Sequence, residues 1–157
     1  MEFSWNSDNR QKPLIVKEVL ETLPEWFGIK SAIEDYVNKS KKYPLLSVKH
    51  NNQIIGFLSL RPTSNYALEI YVMGVKREYH RQGIGKTMIG YAIEYAKQHN
   101  YAFITVKTLD ASRENEEYAK TRFFYESVGF IPIETFQTLW DENNPCLFLI
   151  LPFKNTV

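Results

Sequence analysis

Two glycines in a basic turn are the strongest chemical signal in this chain. They lie in Val75-Lys-Arg-Glu-Tyr-His-Arg-Gln-Gly-Ile-Gly-Lys86. The run before it, Leu68 to Val75, is apolar and β-branched and reads as a buried strand. The run after it, to about His99, places Ile84, Met88, Tyr91, Ala92 and Tyr95 at helical spacing. A strand, a tight turn and a helix in that order leave unbonded N–H groups at the positive end of a helix dipole, which is a phosphate cradle. Gly83 and Gly85 remove side chains where a ligand has to approach the backbone. Two other phosphate motifs are excluded. Gly85-Lys86-Thr87 resembles the tail of a Walker A loop, but that loop needs a glycine where His80 stands. A dinucleotide fingerprint needs a third glycine where Met88 stands.

Elsewhere the chemistry is sparser. Glu69 is an acid inside an otherwise apolar strand, where burial would raise its pKa into a useful range. The alternative is that it faces solvent or pairs with a lysine. Strand alternation puts Tyr71 and Met73 on its face. Cys146 opens an apolar run with no histidine near it in sequence, so a buried structural thiol outweighs an acyl-enzyme nucleophile. His50, His80 and His99 are scattered, and with one cysteine they make no metal-ligand spacing, so no metal is expected.

These residues need a scaffold. Phe3 to Trp5 reads as a short edge strand. Lys12 to Leu23 is a helix, with Pro13 acceptable in its first turn. A turn at Leu23–Gly28 follows. Ile29 to Ser40 is a second helix with Ile29, Ala32, Ile33, Tyr36 and Val37 on one face. Leu45–Lys49 and Gln53–Leu60 form a hairpin about Asn51-Asn52. Leu68–Val75, the helix Gly83–His99 and the strand Ala102–Leu109 make a right-handed parallel crossover. A charged loop, Asp110–Glu117, leads to a helix over Tyr118–Val128 capped by Gly129. Strands at Phe130–Thr138 and Cys146–Phe153, joined by a loop over Leu139–Pro145, close the chain. This order predicts a mixed α/β (α+β) fold, with a central mixed sheet of six to seven strands and helices on both faces.

At 157 residues, 44% hydrophobic and 15% aromatic, the chain is expected to fold as a single domain over residues 1–157 with a real core. A net charge of +1 gives no case for nucleic acid, which disfavours an RNA-associated role. One cysteine cannot form an internal disulfide, which suggests a reducing interior. No signal peptide and no bilayer-spanning apolar run are visible. A cytoplasmic protein with no membrane partner is the default expectation.

The turn His80-Arg81-Gln82-Gly83-Ile84-Gly85 resembles motif A of the GNAT N-acetyltransferases, Arg/Gln-x-x-Gly-x-Gly/Ala, with histidine at the first position. Tyr118-Ala-Lys-Thr-Arg-Phe-Phe-Tyr125-Glu-Ser-Val-Gly129-Phe130 resembles motif B, whose core is Phe-Tyr-x-x-x-Gly-Phe. Alone, that segment would read as an amphipathic helix with an aromatic face and a glycine cap. The element order is also that of the family. The resemblance implies a GNAT-like acyl-CoA N-acyltransferase fold and acetyl-CoA as co-substrate, bound where the strands Leu68–Val75 and Ala102–Leu109 diverge. It implies direct attack by an amine, with a small-molecule or peptide amine as acceptor. It leaves the oligomeric state open, a homodimer included. A non-catalytic acyl-CoA-binding or regulatory module on the same fold is the alternative.

The resemblance also assigns roles. The amides of Arg81, Gln82, Gly83, Ile84, Gly85 and Lys86 would hold the pyrophosphate, with charge added by Arg81 and Lys86, and Arg81 or Arg77 near the ribose phosphate. A main-chain N–H near Met73 would stabilise the developing oxyanion, helped by a bulge at Gly74, and Val75 would bond pantetheine. Tyr125 would protonate the departing thiolate, since a phenol is a donor over the whole physiological range. Glu69 stands fourteen positions before Gly83 (the spacing at which some members carry a catalytic glutamate) and is the candidate base. The family often has asparagine where this chain has Tyr118, so that pantetheine contact would be made differently. Trp26, Phe27, Tyr71 and Trp140 are candidate acceptor contacts. Core packing is the alternative for one of the two tryptophans.

Overall fold

The computed structural model describes residues 1–153. Seven strands form one mixed sheet: β1 (Glu2–Asn6), β2 (Leu45–His50), β3 (Gln53–Pro62), β4 (Ala67–Val75), β5 (Phe103–Leu109), β6 (Ile131–Asp141) and β7 (Asn144–Pro152), in the order β1-β2-β3-β4-β5-β7-β6. The helices are α1 (Lys12–Leu20), α2 (Lys30–Lys39), α3 (Ile84–Gln98) and α4 (Glu116–Ser127). β1 pairs antiparallel with β2 and β2 with β3, β4 runs parallel to β5, and β7 pairs antiparallel with both β5 and β6. By their internal contacts the residues group into two compact units. One is Met1–Arg61 with Ile70–Ala92; the other is Pro62–Glu69 with Ile93 onward.

In the first unit, Ile15, Val16, Val19, Leu20 and Leu23 pack on Leu45, Phe57 and Val72. Each of these side chains, taken fully out of water, contributes about 1.5–3 kcal/mol. The hairpin turns through Asn51 and Asn52, both left-handed (φ 51° and 64°), which matches the twist of the flanking strands. β3 is buried on both faces from Ile55 to Leu60, as an interior strand should be. Gly74 has a packing reason on β4. A Cβ on it would meet Val19 Cγ1 and Leu23 Cδ1, each at 3.1 Å, so α1 packs directly on the strand backbone.

Several boundaries move. α1 stops at Leu20, three residues short of the expectation, because the chain turns at Glu21–Leu23 ahead of Pro24 and the Thr22 hydroxyl donates to Val19 C=O at 2.7 Å. Ile29 stands before α2 in extended backbone and is 66% exposed, so it does not share the buried face. Ala32 is exposed as well, and Ile33, Tyr36 and Val37 alone pack against the core of this unit.

In the second unit, β7 pairs with β5 from Phe103↔Pro152 to Leu109↔Cys146. The loop expected over Leu139–Pro145 is instead the end of β6, a tight Glu142-Asn143 connection and the start of β7. The Asp141 carboxylate accepts from Asn143 N–H and Asn144 Nδ2, each at 2.9 Å, and closes that turn. α4 begins at Glu116 rather than Tyr118. Asn115 caps it, its side-chain oxygen accepting from Tyr118 N–H at 3.0 Å, and Glu116 and Glu117 lie in the first turn, favoured by the dipole. Gly129, at φ 109°, ends it as expected.

Candidate active site

The turn between β4 and α3 is built from bent backbone. Residues Arg77–Tyr79 form one turn of 3-10 helix, Arg81 is left-handed at φ 63° and Gly83 at φ 78°. The Thr87 N–H donates to Gly83 C=O at 3.0 Å, which starts the helical ladder. The amides before it precede any intrahelical acceptor and stand at the positive end of a fifteen-residue helix. A Cβ built on Gly83 meets no atom within 4 Å, so the approach to its backbone is open. Arg81 and Lys86 are exposed beside it, and Ile84 is buried and anchors the helix end. An open row of main-chain donors with two adjacent cations fits a diphosphate.

Arg77 is engaged elsewhere: its guanidinium pairs with the carboxylate of Glu25. Glu25 is held below the usual carboxylate range, first by a backbone hydrogen bond and then by Arg77 and His80. Met73 and Val75 are half-buried on β4, opposite the buried face formed by Ile70, Val72 and Gly74.

Tyr71 sits among rings. Tyr36 and Tyr43 stand edge-on to it at 5.2 Å and 5.3 Å, and the Arg61 guanidinium lies 4.8 Å from its centroid. Burial, with a smaller contribution from the Asp35 carboxylate, pushes the Tyr71 phenol up to about 12, so it remains a hydrogen-bond donor at physiological pH. Trp26 and Phe27 are half-buried and pack against the hydrophobic core of the first unit. Trp26 is therefore the tryptophan that packs, whereas Trp140 is 47% exposed on β6.

The second unit carries the remaining candidates. Glu69 is 4% exposed and its carboxylate bonds Lys107 Nζ at 2.6 Å. Burial and lysine pairing, posed as alternatives from the sequence, occur together. The partner lies on β5, 38 positions away, and no local signal announces it. The parallel ladder of β4 with β5 runs from Ala67↔Phe103 to Glu69↔Thr105, so Glu69 is at its last pair.

Tyr125 is 7% exposed on α4. Its ring lies 5.4 Å from those of Phe124 and Phe130, and Phe130 N–H donates to Tyr125 C=O at 3.0 Å across the glycine cap. Arg122 Nη1 donates to Leu109 C=O at 2.7 Å, fastening α4 to the end of β5. Tyr118 is half-buried in the first turn of α4. Cys146 is buried, and desolvation pushes its thiol up to about 11, which suits the structural role read from sequence and removes it as a nucleophile. Among the described residues no cluster of three His, Cys, Asp or Glu side chains could hold a metal, and no helix is long and apolar enough to cross a membrane.

A family model, the acetyltransferase (GNAT) family, matches residues 9–130. The chain belongs to the GNAT acetyltransferase family. Solved structures agree on the fold of this family member. A GNAT acetyltransferase from Elizabethkingia anophelis, with acetyl-CoA bound, superposes with a TM-score of 0.74 at 20% identity, over 97% of each chain. The ribosomal-protein-S18-alanine N-acetyltransferase of Escherichia coli gives 0.76 at 13% identity, over 99% of this chain and 97% of that one. An aminoglycoside 6'-acetyltransferase type Ii gives 0.78 at 17% identity, over the whole of both chains. No curated protein matches the sequence. The seven-stranded mixed sheet with its helices is therefore the GNAT fold, as the sequence order implied.

Proposed function

We propose that the protein is an N-acetyltransferase, one domain over residues 1–157 in the cytoplasm, that moves an acetyl group from acetyl-CoA to a primary amine by direct transfer. The observation that carries this reading is the turn before α3: left-handed Arg81 and Gly83, open space over Gly83, and helix amides free to bond a diphosphate. The amides of residues 81–86 grip the coenzyme, and the main chain at Met73 and Val75 receives the carbonyl and the pantetheine arm. Tyr118 is assigned to the same arm by the family resemblance.

The amine nitrogen forms a bond to the thioester carbon and the carbon–sulfur bond breaks. Glu69 takes the proton the amine must lose, and Tyr125 O–H gives one to the leaving thiolate. The half-buried Lys107 partner holds the buried Glu69 carboxylate in one direction. Phe27, Tyr71 and Trp140 are the acceptor contacts of this reading, with a small-molecule or peptide amine as acceptor, while Trp26 serves the core. Neighbouring structures include an aminoglycoside acetyltransferase and a ribosomal-protein-S18-alanine N-acetyltransferase, which supports keeping both small-molecule and protein amines as acceptor classes.

Calorimetry with coenzyme A, followed by an amine panel read by free-thiol release, tests the proposal. Binding with acceptor-dependent thiol release is expected. Binding without release from any amine favours the non-catalytic module, and no binding by the folded protein overturns both. Glu69→Gln is expected to lose rate mainly at lower pH, where more of the amine is protonated. A uniform loss across pH removes Glu69 as the base.

A further inference from the structure

His80 stands where the family pattern has arginine or glutamine, and its side chain is bonded to main chain. Its Nε2 lies 2.6 Å from Val75 O. A carbonyl oxygen only accepts, so Nε2 carries the proton and donates. The His80 amide donates to Arg77 C=O at 3.0 Å and Tyr79 N–H to Lys76 C=O at 2.9 Å. Lys76 is held at both ends, its N–H donating to Ile55 C=O at 2.8 Å and its Nζ to Glu18 at 2.8 Å. The imidazole meets Trp26 edge-on at 5.8 Å, and Glu25, beside Trp26, is the partner of Arg77.

The residue after His80 is Arg81, at φ 63°. A left-handed arginine is unfavourable for an L-residue and persists only where its neighbours hold it. Without a tie at residue 80, Arg81 can relax to negative φ, and the amides that follow it then turn away from a common point.

We infer that His80 is a positioning residue for coenzyme binding, a strut from the start of the diphosphate turn to the end of β4, braced on Trp26. It contacts no phosphate; it holds Arg81 and the amides behind it in their left-handed arrangement. The inference rests on reading this turn as the diphosphate site.

The test compares His80→Phe, His80→Gln and His80→Ala with the parent protein. Each is measured by calorimetry with coenzyme A, by steady-state kinetics with acetyl-CoA, and by thermal unfolding. Phe keeps the ring against Trp26 without the donor, and Gln restores a donor. The Phe and Ala variants are expected to weaken coenzyme A binding and raise the acetyl-CoA KM roughly fivefold to tenfold, the size of one well-placed hydrogen bond, with kcat little changed. Gln is expected to recover most of the loss. A folded Phe variant that binds like the parent overturns the strut, as does a Gln variant no better than Phe. If the parent itself binds no coenzyme A, the reading of the turn fails, which is a separate outcome from variants matching a parent that binds.

Discussion

Two turns in this molecule end on a left-handed glycine, and they are built for opposite purposes. Gly83, ahead of α3, has nothing within 4 Å of where a Cβ would be. Gly129, behind α4, would place its Cβ 3.0 Å from Leu151 Cδ1. The first glycine keeps a surface open, and the second lets a helix end close against a strand. Local sequence is similar at both, a glycine beside a helix terminus, so glycine alone does not tell a ligand turn from a packing turn. The distinction is what surrounds it. Gly83 follows a left-handed Arg81 and faces the amide end of a helix, whereas Gly129 satisfies the carbonyl end, its N–H donating to Glu126 C=O at 3.1 Å.

The largest effect expected on either side of this contrast is on chemistry at the α4 end. If Tyr125 is the proposed general acid, Tyr125→Phe is expected to lower turnover about a hundredfold while coenzyme A affinity is retained, since losing such a group costs on the order of 10²-fold or more. Unchanged turnover by thiol release removes the role assigned to the hydroxyl. Gly129→Ala comes next. At φ 109°, with Leu151 in the way, it is expected to cost about 2 kcal/mol of stability, seen as a lower Tm, with little change in coenzyme A affinity of the folded fraction.

Gly83→Ala is expected to do the reverse. Strain without a clash costs about 1 kcal/mol, but the added methyl stands over the amides proposed to hold the diphosphate, so coenzyme A binding is expected to weaken roughly tenfold. If both glycine variants lose stability and binding alike, the contrast between the turns is wrong. The smallest effect concerns pH and the second unit. Burial raises the Asp110 carboxyl, but hydrogen bonds from Ser112 and Thr135 and the charge of Arg122 outweigh it, and the net shift is downward. A carboxyl lowered in the folded state adds stability above its unfolded pKa, and that stability is lost as pH falls through the folded value. Asp110→Asn is therefore expected to be less stable than the parent at neutral pH, with the difference shrinking below about pH 4 in chemical unfolding.

Most of the fold was legible because each element announces itself locally. The Asn51-Asn52 hairpin, Pro13 in the first turn of α1, the apolar run of β4 and the Gly129 cap are short-range signals, and the structure has each of them. Misreadings arose where side chains settle a boundary. Thr22 helps close the end of α1, and Asp141 closes a tight turn where composition predicts a loop. Asn115, followed by two glutamates, was a readable cap signal that moves the start of α4 back to Glu116. Ile29 and Ala32 fit a helical stripe by spacing, yet of that stripe only Ile33, Tyr36 and Val37 pack on the unit's core.

At the site, the sequence by itself determined the kind of chemistry. Two glycines after a strand and before a helix dictate open amides at a helix N-terminus, and that is backbone geometry within a dozen residues. Tertiary structure alone decided what the side chains would meet. Lys107 reaches Glu69 from another strand, Tyr36 and Tyr43 surround Tyr71 from separate elements, and His80 finds the Val75 carbonyl rather than solvent. The reason is one of range. Turn and helix signals act through the next few residues, while a buried charge or ring takes its partner from whatever segment the fold lays against it.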